Sequence, residues 1–193
     1  FIGIGGAMQH MLKITDGALE TSGSMMLIIC FVLGSIVGEL LDIEGAFERF
    51  GAWLRKKTHN ESDTGFLSAF IHASLTVCIG AMAIVGALED GLRGDPSMLI
   101  AKAVLDGVIV LVFASTYGKG ALFSAIPVGL WQGCITLFAG FLEPLLTEAA
   151  ISDLSFVGNV LIFCVGINLA FGKRFRVGNM LPALILAPLF GRF

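Results

Sequence analysis

The chain has 193 residues, of which 56% are hydrophobic and 14% charged, with a mean hydropathy of +0.90 and a formal net charge of −3. An ordinary soluble domain carries about 25% charged residues, so this composition argues against a soluble globular class. The apolar runs are continuous rather than alternating, which argues against a β-barrel; nothing in the charge pattern points to nucleic acid.

The fold expected is an all-α polytopic transmembrane bundle of about seven hydrophobic segments, forming a single integral membrane domain over 1–193. Residues 1–12 are apolar but too short to span, and read as the remainder of a helix; no charged region of a secretory signal precedes them. After a polar loop with Lys13, Asp16 and Glu20, residues 24–41 form a full span containing Gly34-Ser-Ile-Val-Gly38, a spacing that admits a second helix closely. Residues 44–57 place Phe47, Phe50, Trp53 and Leu54 on one helical face and Glu48, Arg49, Arg55 and Lys56 largely on the other. That pattern predicts an amphipathic helix anchored in the membrane interface by those four apolar residues; a solvated linker helix is the plainer alternative.

Residues 65–88 read as one span, and 98–116 as the next, with Asp95 as its N-cap and Pro96 at its first position. The segment 121–142 contains Pro127, where a kink or break is expected, and a stripe of Ala125, Gly129, Gln132, Gly133, Thr136 and Gly140. An acidic loop, 143–153, leads to a span at 154–172 and the basic turn 173–176. The closing segment 178–193 is short for a span and is interrupted by Pro182 and Pro188, the second taken as a helix break. Cys30, Cys78, Cys134 and Cys164 each lie in a different apolar run and read as small core residues rather than a disulfide or metal framework.

Loop charge sets the expected orientation. Loops 43–64, 117–120 and 173–178 carry Arg49, Arg55, Lys56, Lys57, Lys119, Lys173, Arg174 and Arg176, whereas the alternate loops carry only Lys13 and Arg93 beside their acidic residues. The basic loops, including the interfacial segment, are therefore expected on the cytoplasmic side.

Leu75-Thr-Val-Cys-Ile-Gly80 with Gly86 matches Leu161-Ile-Phe-Cys-Val-Gly166 with Gly172 at identical spacing, and the charge alternation sends the two copies in opposite directions. Inverted repeats of the kind found in transporters are the expectation; chance similarity of Gly/Leu-rich spans is the alternative.

Several stretches resemble one family. Gly38-Glu-Leu-Leu-Asp-Ile-Glu-Gly45, Cys78-Ile-Gly-Ala-Met-Ala-Ile-Val-Gly86, Ala101-Lys-Ala-Val-Leu-Asp-Gly107, Phe113-Ala-Ser-Thr116 and Leu181-Pro-Ala183 are similar to the YqgA/YdfK-type bacterial inner-membrane proteins, a domain of unknown function. The resemblance covers nearly the whole chain and implies a multi-pass protein of the bacterial cytoplasmic membrane. Family members carry a further N-terminal hydrophobic helix, which would make an arrangement of three, two and three helices. The resemblance implies no substrate, cofactor or catalytic residue.

The chemistry-bearing residues gather around Lys102 and Asp106, four apart on one helix face. Asp106 lies about 15 Å into its span, where ionisable groups are costly and usually turned to a partner or a wet cavity. The functional expectation is an ion or small-solute path lined by Lys102, Asp106, Ser124, Gln132 and Asn168, between the helices at 98–116, 121–142 and 155–172. The structural alternative is a buried pair that locks helices together. Glu39 and Asp42, at the end of their helix, read as solvated. No metal spacing, nucleophile elbow or phosphate loop is present, so no enzyme, metal or cofactor is expected. The function expected is a small transporter or channel-like protein, with a non-transporting scaffold or sensor as the alternative. The partners expected are the lipid bilayer and, through Gly34/Gly38 or Gly129/Gly133, a homo-oligomer.

Overall fold

A computed structural model of the chain describes residues 2–15, 18–59, 63–79 and 81–190. Expectations for Phe1, Asp16, Gly80 and the last three residues lie outside the described residues. The all-α class holds, with one two-stranded hairpin among the described residues. In order, the elements are α1 (Ile2–Met11), β1 (Leu12–Thr15), β2 (Ala18–Thr21), α2 (Ser24–Leu41), α3 (Ile43–Lys57), α4 (Phe66–Cys78), α5 (Ala81–Arg93), α6 (Ser97–Tyr117), a 3₁₀ segment η1 (Lys119–Ser124), α7 (Ala125–Leu137), α8 (Ala139–Leu142), η2 (Glu143–Leu145), α9 (Glu148–Phe171), α10 (Val177–Met180) and α11 (Pro182–Phe190). Among the described residues, four helical stretches are long and apolar enough to cross a membrane, or five if the bent α4–α5 pair counts as one span.

Where the sequence predicts a single domain, the chain divides into two compact units, Phe1–Asp42 with Glu143–Phe193, and Ile43–Leu142. The first unit gathers α1, α2, α9, α10 and α11. Its helices approach through glycines. A Cβ on Gly3 would lie 2.6 Å from the Asn159 carbonyl oxygen, on Gly34 2.5 Å from the Ala183 nitrogen, and on Gly38 1.8 Å from the Asn179 carbonyl oxygen. Gly34/Gly38 therefore serves contact within one chain. β1 and β2 pair antiparallel, Leu12 opposite Thr21 and Thr15 opposite Ala18, in the loop expected to be irregular.

The start of α9 lies six residues before the expected 154. Thr147 is its N-cap, its hydroxyl accepting from the Ala150 N–H at 3.2 Å, and Glu148 sits in the first turn where the helix dipole favours an acid. At the other end of the chain the break falls before Pro182, not at Pro188. Pro182 has no N–H to offer Gly178, whose carbonyl is taken by the Leu181 N–H at 3.3 Å; Pro188 is carried inside α11, near its end.

The second unit holds the larger corrections. The span expected over 65–88 is two helices: regular structure stops after Cys78, Ile79 is extended (φ −81°, ψ 119°), and the axes of Phe66–Cys78 and Met82–Arg93 meet at 61°. Pro127 does not kink a span. It sits third in α7, directly after η1, within the first turn where an N–H would have no helical partner anyway. η1 lies backbone to backbone on the start of α4, a Cβ on Gly120 meeting the Phe66 carbonyl oxygen at 1.9 Å. α3 packs its apolar face inward. Leu54 is buried with Phe66 and Phe70, and Phe47 and Phe50 pack on that cluster, so three of the four expected interfacial anchors belong to the unit's own core. Trp53 alone of the four is exposed, at 54%, with the Lys57 ammonium 5.6 Å from its ring centroid.

Candidate functional site

α6 has 21 residues, and Asp106 stands one position from its middle. One face of the helix is exposed and apolar (Ile100, Val104, Val108, Leu111). The other carries Lys102, which is only 6% exposed. Its ammonium makes an ion pair with the Asp106 carboxylate one turn on and donates to the Val77 carbonyl oxygen at 3.1 Å. The second contact follows from the break after Cys78. Val77 is among the last four residues of α4, whose carbonyls an α-helix leaves without an intrahelical donor. A cation at a helix C-terminus is favoured by the same geometry that orphaned the carbonyl.

Asp106 keeps 19% of its side-chain surface exposed. It opens onto a cavity of about 380 Å³ within the second unit, lined by Val77 of α4, Asp106 and Gly107 of α6, Ser124 of η1, and Gly129 and Gln132 of α7 among others. Three of the five residues expected to line a path therefore share one cavity, and Lys102 is bonded directly to one of them. The cavity is open-sided, and Gly107 and Gly129 in its lining are exposed, a Cβ on either meeting nothing within 4 Å. Chemically, the arrangement offers a carboxylate, a hydroxyl and an amide around a space wide enough for an ion or small solute. Among the described residues no group of three or more His, Cys, Asp or Glu could hold a metal ion.

Asn168 is placed elsewhere. It lies in the first unit and its amide is engaged at the end of α9: Oδ1 accepts from the N–H groups of Arg174 (2.8 Å) and Phe175 (2.9 Å), and Nδ2 donates to the Phe175 carbonyl at 2.7 Å. It holds the basic turn in shape. Glu39 and Asp42 keep exposed side chains, as expected, and are also paired. Arg176 bonds to Glu39 and, at 3.2 Å, to Asp42, and the Asn179 amide donates to Glu39 at 2.6 Å. Sequence reasoning had no means of finding that cluster or the Val77 carbonyl, since each needs the partner element in place. Ser115 and Thr116 bond back to the Val112 carbonyl of their own helix. Cys30 and Cys164 are buried, whereas Cys134 is exposed and all four thiols are free.

At the N-terminal end of α6 the cap is displaced by one residue. Pro96 occupies the N-cap position and Asp95 receives the Ser97 N–H at 3.0 Å; the Ser97 side chain and N–H together hold the Asp95 carboxyl below its ordinary range.

The family described as protein of unknown function (DUF554) matches residues 1–191. The uncharacterised membrane protein YdfK of Bacillus subtilis (strain 168) is 30% identical over 175 residues, covering 91% of this chain and 73% of the relative. The uncharacterised protein YqgA of Escherichia coli (strain K12) is 32% identical over 168 residues, covering 83% of this chain and 70% of the relative. No solved structure matches.

Proposed function

The chain belongs to the DUF554 family of membrane proteins, and from that premise we propose that it moves an ion or small solute across the bacterial cytoplasmic membrane. The reading is non-enzymatic. It is carried by one observation: a charged pair at the middle of a membrane-length helix opens onto a largely apolar cavity that also holds Ser124 and Gln132, beside an interrupted helix. Ionisable side chains at that depth ordinarily mark an ion or substrate pathway, and interrupted helices ordinarily supply its backbone ligands. Asp106 is the residue that meets the solute, with Ser124 and Gln132 as polar contacts. The distribution of Lys and Arg supports basic loops facing the cytoplasm. The inverted repeat is a looser support, because the copy at 75–80 falls at the end of α4 while the copy at 161–166 lies inside the unbroken α9.

The test is reconstitution into liposomes carrying dyes for internal pH and membrane potential. Wild-type vesicles are expected to dissipate imposed ion gradients faster than empty ones, and Asp106→Asn to lose at least tenfold of that flux while unfolding at a similar temperature. No flux above empty vesicles, together with an Asp106→Asn defect confined to folding yield, discards the reading. The exposed Trp53 beside Lys57 favours a second one, a scaffold that contacts anionic lipid. Under that reading Trp53→Ala, and not Asp106→Asn, abolishes the cellular phenotype.

A further inference from the structure

The polar pair in α6 has a feature that transport alone does not require: the Lys102 ammonium bridges a backbone carbonyl at an interrupted helix and a carboxylate on the facing helix. A carboxylate with a helix-terminal carbonyl, inside a membrane-length bundle, is the ligand set by which interrupted helices coordinate monovalent cations. An ammonium group satisfies the same oxygen ligands by donating hydrogen bonds to them. We propose that Val77 O and the Asp106 carboxylate form a monovalent-cation seat filled in the wild-type protein by the Lys102 ammonium itself, so that the seat takes neither Na⁺ nor K⁺.

This deepens the transport reading, on which it rests, by naming the group that occupies the polar centre, and the seat itself can be tested without any flux. The described groups around the ammonium are few. α4 brings the Val77 carbonyl and the Cys78 thiol, which lies close enough to feel both charges, and α6 brings Asp106. η1 and α7 bring Ser124 and Gln132 to the adjoining cavity, neither of which titrates, and α5 brings no charged group to its lining. Lys102 thus carries the one positive charge among the groups named. Its removal leaves a carboxylate and a carbonyl facing each other with room for an ion.

The experiment is thermal unfolding of the purified full chain in detergent, in NaCl, KCl and choline chloride at equal ionic strength. Wild-type protein is expected to unfold at the same temperature in all three. Lys102→Met, which keeps the stem and removes the charge, is expected to gain about 5 °C or more in NaCl or KCl over choline chloride, saturating with concentration as binding to the folded state requires. Lys102→Met with Asp106→Asn is expected to lose that gain. A wild-type response specific to Na⁺ or K⁺ overturns the proposal, because the seat would then be open to alkali ions. Equal unfolding of Lys102→Met in all three salts, including failure to fold in any of them, overturns it as well, because no alkali ion would then replace the ammonium. Either result leaves the flux measurement on Asp106→Asn to judge transport separately.

Discussion

The two units use the same kinds of residue in opposite ways. In the first, several polar side chains near helix ends are tied to one another or to turns (Asn168 to residues 174 and 175, Arg176 to Glu39 and Asp42, Asn179 to Glu39), and Ser155 and Asn159 within α9 bond back to their own helix. In the second, Asp106 and Gln132 lie within helices and share a cavity with Ser124, and Lys102 is paired with Asp106. Glycines differ by place rather than by unit: Gly34, Gly38 and Gly120 admit a neighbouring backbone, whereas Gly129 and Gly133 face open space. Polar groups at helix ends satisfy backbone atoms that regular helix leaves unpaired, which is structural work. Polar groups in mid-helix cost desolvation and strengthen nothing that an apolar residue could not, so their presence there calls for a task.

The sharpest way to break this contrast is at Lys102. Lys102→Ala leaves Asp106 in an apolar setting without its partner, and a loss of about 3–5 kcal/mol is expected, as for other buried pairs deprived of one member. Asp106→Asn added to it should recover much of that loss. Unfolding of the single and double variants checks this, and a strictly additive result would mean that the pair is not coupled.

A smaller effect separates the glycines. Gly38→Ala drives a methyl into the Asn179 carbonyl and is expected to cost about 1–3 kcal/mol. Gly129→Ala meets nothing and, by helix propensity, should be neutral or stabilising by about 0.5–1 kcal/mol. The two unfolding temperatures are compared in the same detergent.

The smallest effect belongs to Asp95. Its carboxyl is held below the ordinary value by the Ser97 hydrogen bonds. The cap therefore contributes fully above the unfolded-state carboxylate pKa, near 4, and is lost as pH falls through the lowered folded-state value. Below that point Asp95→Asn should match wild type in stability; above it, the wild type should be slightly more stable. A difference that grows on acidification would contradict the assignment.

What was legible in the sequence was local. Asp106 and Lys102 share a face because they are four apart, and Ser124 and Gln132 follow on the next apolar stretch, so their common cavity could be anticipated. Asn168 misled. A lone amide in an apolar run reads as an intramembrane polar group, and only the fold of residues 172–176 back onto it reveals a cap. The face of α3 misled in the same manner, since an apolar stripe declares that it will be covered without declaring by what; the cover proved to be Phe66 and Phe70.

Composition and hydropathy alone determined the helical membrane class, the approximate positions of the apolar segments and the place of Asp106 along its helix, because these depend on residue type and a fixed rise per residue. The break after Cys78, the placing of Pro127 in a first turn and the grouping into two units were decided only by tertiary structure. Whether a helix continues through a weak point depends on whether another group can take up the carbonyl left behind. The opening helix of this site is interrupted where Lys102 of α6 is within reach to do so.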